Sequence, residues 1–124
     1  MLASTRSRLF DLIDGQGLLP TRRYVPDDVS ELPCIVIGPT SLNPGREAVV
    51  MEASLDVYVI GRRVGDDDSQ SELDTYADHV LTILGGTRGR DQFAVQSSRP
   101  QLVTVAGVDY PAHVITATIS VVTC

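Results

Sequence analysis

The sequence predicts a single α+β domain, in which two amphipathic helices pack on one face of a mixed, mostly antiparallel sheet. Two long segments, 48–61 and 110–122, alternate apolar with polar residues, as a strand with one buried face does. Two other segments, 3–14 and 70–84, carry apolar residues at helical spacing. Strands and helices arranged in this way are typical of an α+β fold. A chain of 124 residues fits one domain, 1–124.

The segment 48–61 is the clearest strand in the sequence. Its apolar side holds Val49, Met51, Ala53, Leu55, Val57 and Val59. Its polar side holds Glu52, Ser54, Asp56 and Tyr58. The segment 110–122 has a similar length and the same alternation, so we expect the two strands to be neighbours in the sheet. We expect the helices on the apolar side and a Ser-, Thr-, Glu-, Asp- and Tyr-bearing face on the other.

The second helix is better defined than the first. Its apolar stripe consists of Leu73, Tyr76, Ala77, Val80, Leu81 and Leu84. Ser69 and Glu72 have the spacing of a capping box, which predicts that Ser69 precedes the helix. Gly85-Gly86 predicts its end, as Gly15 and Gly17 do for the first helix.

Shorter segments complete the predicted sheet. Residues 34–37 form an apolar run between Pro33 and Pro39, which indicates a strand buried on both faces. Residues 39–47 contain Pro44-Gly45 and predict a loop that returns the chain antiparallel.

Three further short segments lie outside these elements. Residues 22–25 predict an extended piece or edge strand, and 101–105 predict a strand followed by a turn at Ala106-Gly107. Residues 93–95 fit either a short strand or a connection.

Charge and composition favour some classes of protein over others. The net charge is −6, which disfavours general nucleic-acid binding because that binding depends on neutralising phosphates. No apolar run is long enough to cross a bilayer, and the N-terminus lacks a secretory signal, so we expect a soluble cytoplasmic product. Cys34 and Cys124 have no metal-binding spacing, and we expect two thiols in a reducing compartment.

Residues with catalytic or metal-binding chemistry are few. We expect His79 to be solvated and His113 to be partly buried and hydrogen-bonded rather than a metal ligand. The acidic run at 66–68 fits the start of a helix better than an ion site. We expect no catalytic set, metal or cofactor. The one cluster that fits a small ligand-binding protein or enzyme is Asp109, Tyr110 and His113.

Four local motifs follow one another along the chain. They are the Pro-bracketed strand LPCIVIGP, a long strand ending in VYVIGRR, the helix SELDTYADHVLTIL and a closing segment ending in YPAHVITATISVVT. In order and local sequence they resemble the tail terminator proteins of long-tailed, siphovirus-type phages. The resemblance covers nearly the whole chain. The Lys-free, Arg-rich composition is similar to that of members from phages that infect actinobacteria.

The resemblance implies a structural virion protein rather than an enzyme. It implies a homo-hexameric ring, assembled in the host cytoplasm, that caps the head-proximal end of the tail tube, stops its polymerisation and joins it to the head. The implied partners are other copies of the chain, the tail tube protein and head-completion or neck proteins. DNA would only pass through the lumen, and neither membrane nor cofactor is implied. The alternative is a head–tail connector, a stopper or another neck protein.

The candidate interface residues are charged groups in loops and on the polar side of the long strand. Loops of opposite charge fit contacts between subunits, because complementary charges fix the register of an assembly. The candidates are Arg62, Arg63, Asp66, Asp67, Asp68, Arg88, Arg90, Glu52 and Asp56.

Overall fold

A computed structural model gives the fold of the chain, with residues 2–15, 17, 19–22, 33–44, 50–61, 67–86 and 93–122 described. In this part of the chain, five strands form one mixed sheet and two helices pack against it, which confirms the predicted α+β class. In chain order the elements are α1 (Leu2–Asp14), β1 (Thr21–Arg22), β2 (Cys34–Pro44), β3 (Val50–Ile60), α2 (Asp67–Gly85), β4 (Ala94–Val105) and β5 (Val108–Val122).

The two long strands lie side by side at the centre of the sheet. The strand order is β1-β2-β3-β5-β4, and every neighbouring pair is antiparallel except β1 with β2. The pairing of β3 with β5 is continuous from Val50 opposite Val122 to Ile60 opposite Ala112. The predicted neighbourhood of these strands is therefore confirmed.

Both helices pack on the same face of the sheet, as predicted. They contribute apolar side chains that are almost fully buried: Leu9 and Ile13 from α1, and Leu73, Ala77, Val80 and Leu84 from α2. The sheet contributes Ile35, Ile37, Ala53, Leu55, Val57, Val59, Ile115, Ala117 and Ile119. These residues form the main core, whose burial supplies the largest favourable term in folding.

The second helix begins earlier than its capping box predicts. It starts at Asp67, so Ser69 lies inside the helix and the predicted N-cap is wrong. Acidic residues are favourable in a first turn because they face the positive end of the helix dipole, which explains why the helix extends into the aspartate run. The predicted end is confirmed: α2 ends at Gly85, and the N–H of Gly86 donates to the carbonyl of Thr82 at 3.1 Å.

The second strand is longer than the sequence predicts. Residues 34–37 are buried on both faces, which confirms the interpretation of that run. The predicted loop at 39–47 is wrong for 39–44, because a bulge between Ile37 and Thr40 accommodates Pro39 and the strand then continues. Gly38 is required there, since a Cβ would lie 2.9 Å from the carbonyl oxygen of Asp56.

The fourth strand is one element rather than two. It runs through Pro100 without interruption, so the predicted separation of 93–95 from 101–105 is wrong. Proline is tolerated because β4 is an edge strand. At the opposite edge, β1 is parallel to β2 and matches part of the predicted piece at 22–25, of which 23–25 lie outside the described residues.

Candidate interaction surface

The sheet face opposite the helices is polar at one end. The polar face is defined here by Glu52, Ser54 and Asp56 of β3 and Thr116 and Thr118 of β5. The hydroxyl of Thr116 donates to Oδ1 of Asp56 at 2.7 Å, and Nε2 of Gln96 donates to the hydroxyl of Thr118 at 3.2 Å. These side-chain bonds join three adjacent strands, β3, β5 and β4, across the face.

The other end of the same face is apolar, an end that the predicted Ser-, Thr-, Glu-, Asp- and Tyr-bearing face did not include. A second cluster of buried residues lies there: Cys34, Val36, Ile60, Val105 and Ala112. Tyr58, Val103 and Tyr110 pack against it. Alternation along a strand tells which residues share a face, and it places Ile60 and Ala112 on the same face as Asp56 and Thr116. Alternation alone therefore could not predict that one end of this face is apolar and the other polar.

The edge strand β4 is the most exposed element of the described chain. All residues from Ala94 to Leu102 are exposed, whichever face their side chains occupy. Leu102 is 60 % exposed and Val95 is 40 % exposed. In the adjoining hairpin strand, Val108 is 53 % exposed. Large apolar side chains exposed along one edge mark a surface suited to contact with another chain.

The backbone of β4 directs half of its polar groups away from the sheet. Just past the end of β3, the N–H of Gly61 donates to the carbonyl of Pro111 on β5 at 2.8 Å. Because bonding to one neighbour alternates along an antiparallel strand, the backbone of His113, two residues further on, also bonds to β3 rather than to β4. Pro100, opposite His113, therefore points its backbone outward, and alternation gives the same direction to Ser98, Leu102 and Thr104. Pro100 has no N–H to lose at this position.

A tight turn connects β4 to β5. Ala106 and Gly107 both have positive φ, 52° and 82°, as a type I′ hairpin turn requires. Beside the turn, the hydroxyl of Thr104 donates to Oδ1 of Asp109 at 2.5 Å. The hairpin therefore has a defined end, which holds the exposed Leu102 and Val108 in a fixed register.

Both histidines have the surroundings that the sequence predicts. His79 is exposed on α2, and His113 is partly buried, with Nε2 2.6 Å from the hydroxyl oxygen of Ser98. Its Nδ1 is buried and has no hydrogen-bond partner among the described atoms. The cluster of Asp109, Tyr110 and His113 is not brought together, because Tyr110 lies on the opposite sheet face from the other two.

The proposed interface residues fall in differently described parts of the chain. Glu52 is exposed and Asp56 is partly exposed, both on the polar face. Asp67 and Asp68 are the first residues of α2, and the surroundings of their side chains are not described. The candidates outside the described residues are Arg62, Arg63, Asp66, Arg88 and Arg90.

Sequence reasoning missed the outer edge of β4 as a candidate surface. The stretch 96–100 contains Pro100 and a run of polar residues, so it resembles a loop that separates 93–95 from the strand predicted at 101–105. The turn at Ala106-Gly107 between two Val-containing segments indicates a hairpin, but no local pattern gives the length of its first strand.

Within the described residues, no three His, Cys, Asp or Glu side chains are grouped so that they could hold a metal ion. Cys34 is buried and takes part in no disulfide, and Cys124 lies outside the described range. Neither described helix has the length and hydropathy needed to cross a membrane.

No protein-family model and no curated protein sequence matches the chain.

Proposed function

We propose that this chain is a structural subunit of a long-tailed phage, which assembles with its own copies into a ring that caps the tail tube. The sequence resemblance to tail terminator proteins supplies the class. The structural observation that supports it most is β4, exposed from Ala94 to Leu102 and without a partner along its outer edge among the described residues. Unpaired strand edges of this length template pairing with another chain.

The ring would act at the head-proximal end of the tail. By occupying the end of the tube it would prevent further tube subunits from adding, and its other surface would receive the neck proteins. We propose six copies, as the resemblance implies. A role in assembly does not involve catalysis or a cofactor, and it places the protein in the virion.

The polar face is suited to the lumen of such a ring. Glu52 and Asp56 lie on it and outnumber Arg99, the one charged residue of β4, which shares this sheet face. The whole chain has a net charge of −6. An acidic lumen would repel the phosphates of DNA, so DNA would pass through without being held. The charged residues at 62–68 and 88–90 would contribute contacts between subunits or with the tube.

Elongation of tail tubes tests this function. Preformed tubes of tail tube protein from the same phage are incubated with the purified chain, and fresh tube protein is then added. We expect elongation to stop at the capped end, while an unrelated acidic protein of similar size leaves it unchanged. Elongation at the uncapped rate, with the chain present in excess, would contradict the proposal. Binding to tubes without any effect on length would favour a connector or stopper in the neck.

A further inference from the structure

We infer that copies of the chain join edge to edge, with β4 of one copy adding antiparallel to residues 40–44 of β2 in the next. This inference rests on the proposed ring and specifies how its subunits associate. One continuous sheet would then run around the ring, with all helices on one side and the polar face on the other.

Among the described residues, each edge of the sheet has a stretch of backbone without a partner strand. At one end, β4 has no partner on its outer side among the described residues. At the other, β1 covers β2 only at Ile35 and Val36. The carbonyl of Ile37 accepts a hydrogen bond from Nη2 of Arg6 at 2.8 Å, so α1 closes the next position. Beyond the bulge, β2 pairs with β3 alone in the described chain.

Residues 40–44 of β2 have outward-pointing backbone groups that can pair with those of β4. The N–H of Ile35 donates to Pro20 at 2.9 Å, on the side away from β3. The same alternation along β3 points the backbone N–H and C=O groups of Leu55 and Ala53 toward β5. Their partners on β2, Thr40 and Leu42, therefore receive no hydrogen bond from β3, and their own N–H and C=O groups point outward. These groups match the outward N–H and C=O groups of Ser98, Leu102 and Thr104 on β4.

The strand directions favour the same arrangement. Because β2–β3, β3–β5 and β5–β4 are all antiparallel, β2 and β5 run one way while β3 and β4 run the other. When copies follow one another around a ring, β4 therefore meets the next β2 antiparallel, which is the more stable pairing. Contacts of this head-to-tail type close into rings when the rotation allows.

Side-chain charges are complementary across the proposed junction. The one charged side chain of β4 is Arg99, which is exposed and shares its face with Glu52 and Asp56. In the joined sheet, Glu52 of the next copy lies two strands away, about 9.6 Å at ordinary strand spacing. Extended arginine and glutamate side chains can span that distance. The exposed Leu102 would lie over the new strand pair on the opposite face.

The prolines limit how the edges can pair. The backbone of Pro100 in β4 and of Pro44 in β2 faces outward, and neither residue has an N–H that could donate to a neighbouring strand. A proline opposite an outward residue of the other strand leaves one carbonyl of that pair without a donor. With Ser41 opposite Gln101, Pro100 faces Leu42 and Pro44 faces Ser98, so each of these two pairs makes one hydrogen bond instead of two. The prolines therefore hinder indiscriminate edge pairing while permitting a short, specific junction.

Engineered disulfides test the junction directly. Ser41 and Gln101 are exposed on the same sheet face, and in the joined sheet they would occupy non-hydrogen-bonded positions, where Cα atoms about 4.5 Å apart permit a disulfide. The full chain with Cys124→Ser is prepared with Ser41→Cys plus Gln101→Cys, and with Ser41→Cys plus Arg99→Cys for the adjacent register. Each single cysteine variant serves as the matched control.

Mild oxidation, alone and on tail tubes, is followed by denaturing, non-reducing electrophoresis. We expect one double variant to give a ladder up to the size of the ring, with no ladder from single variants. A covalent dimer from Gln101→Cys alone would show two-fold β4–β4 pairing and overturn the inference. No ladder from either double variant, in a protein whose native mass is oligomeric, would also overturn it.

The same variants separate the junction from the proposed function. A protein that caps tubes but gives no ladder would retain the function and refute the junction. A protein that gives the ladder but leaves tube elongation unchanged would retain the junction and refute the function.

Discussion

Ala106 has a backbone conformation that suits another residue better. Its φ of 52° lies in the left-handed region, which costs an ordinary L-residue about 1–2 kcal/mol. Asparagine is favoured at this position of a type I′ turn when glycine follows, as Gly107 does. The hairpin that carries the exposed edge is therefore held by a turn with residual strain.

Replacing Ala106 should stabilise the protein. We expect Ala106→Asn to raise the free energy of unfolding by about 0.5–1 kcal/mol, measured by urea denaturation. The matched change Gly107→Ala should lower it by about 1 kcal/mol, because φ at that position is 82°. A destabilised Ala106→Asn protein would mean that the turn does not have this conformation.

The bond between Asp56 and Thr116 links the two central strands across the polar face. It joins a partly exposed carboxylate to a hydroxyl at 2.7 Å. We expect a double-mutant cycle of Asp56→Ala and Thr116→Val to give a coupling of about 1 kcal/mol in the free energy of unfolding. Additivity within about 0.3 kcal/mol would show that the bond contributes nothing in solution.

At the scale of elements, the bulge in β2 depends on one small residue. A Cβ on Gly38 would lie 2.9 Å from the Asp56 carbonyl oxygen and 3.2 Å from Cε2 of Tyr58. We expect Gly38→Ala to lower the free energy of unfolding by about 1–3 kcal/mol, since β3 cannot move without disturbing the central pairing. Gly85→Ala is the control, because nothing lies within 4 Å there and alanine favours a helix. Equal thermal stability of the two variants would contradict the bulge.

The phase of β4 can be tested with proline. Leu102 directs its N–H outward, so Leu102→Pro removes no bond within the sheet, and we expect a loss below about 1 kcal/mol. The N–H of Gln101 bonds to β5, so Gln101→Pro should cost about 1–3 kcal/mol by leaving a carbonyl unpaired. Chemical denaturation of both proteins gives the comparison, and the reverse order would mean that the outward residues have been assigned wrongly.

The elements differ in how far sequence could predict them. Residues of β3, β5 and α2 follow one period over many positions, so their type and the neighbourhood of the two strands could be predicted. The bulge at Gly38 and the outward position of Pro100 depend on the partner strand, which no local pattern reveals. The open edge of β4 likewise follows from strand order rather than from composition.

At the scale of the whole molecule, the sheet separates two kinds of surface. One face is covered by both helices, while the other exposes a polar end around Asp56. Among the described residues, the sheet is bounded by the unpaired edge of β4 at one side and by the part of β2 that β1 does not cover at the other. A body with this shape can join its neighbours laterally and still present one face to a lumen and one to the exterior. The proposed ring uses both properties, and the tube would supply the surface on which the ring closes.

The proposed ring is tested most directly by counting the copies of the chain bound at each tail-tube end and by imaging those ends. Capped tubes are isolated, the bound protein is quantified per tube end, and the ends are imaged by cryo-electron microscopy. We predict a ring at one end only, containing six copies, with density continuous between neighbouring sheets. Monomers distributed along the tube wall, or tube ends without a ring at saturating protein, would contradict the account.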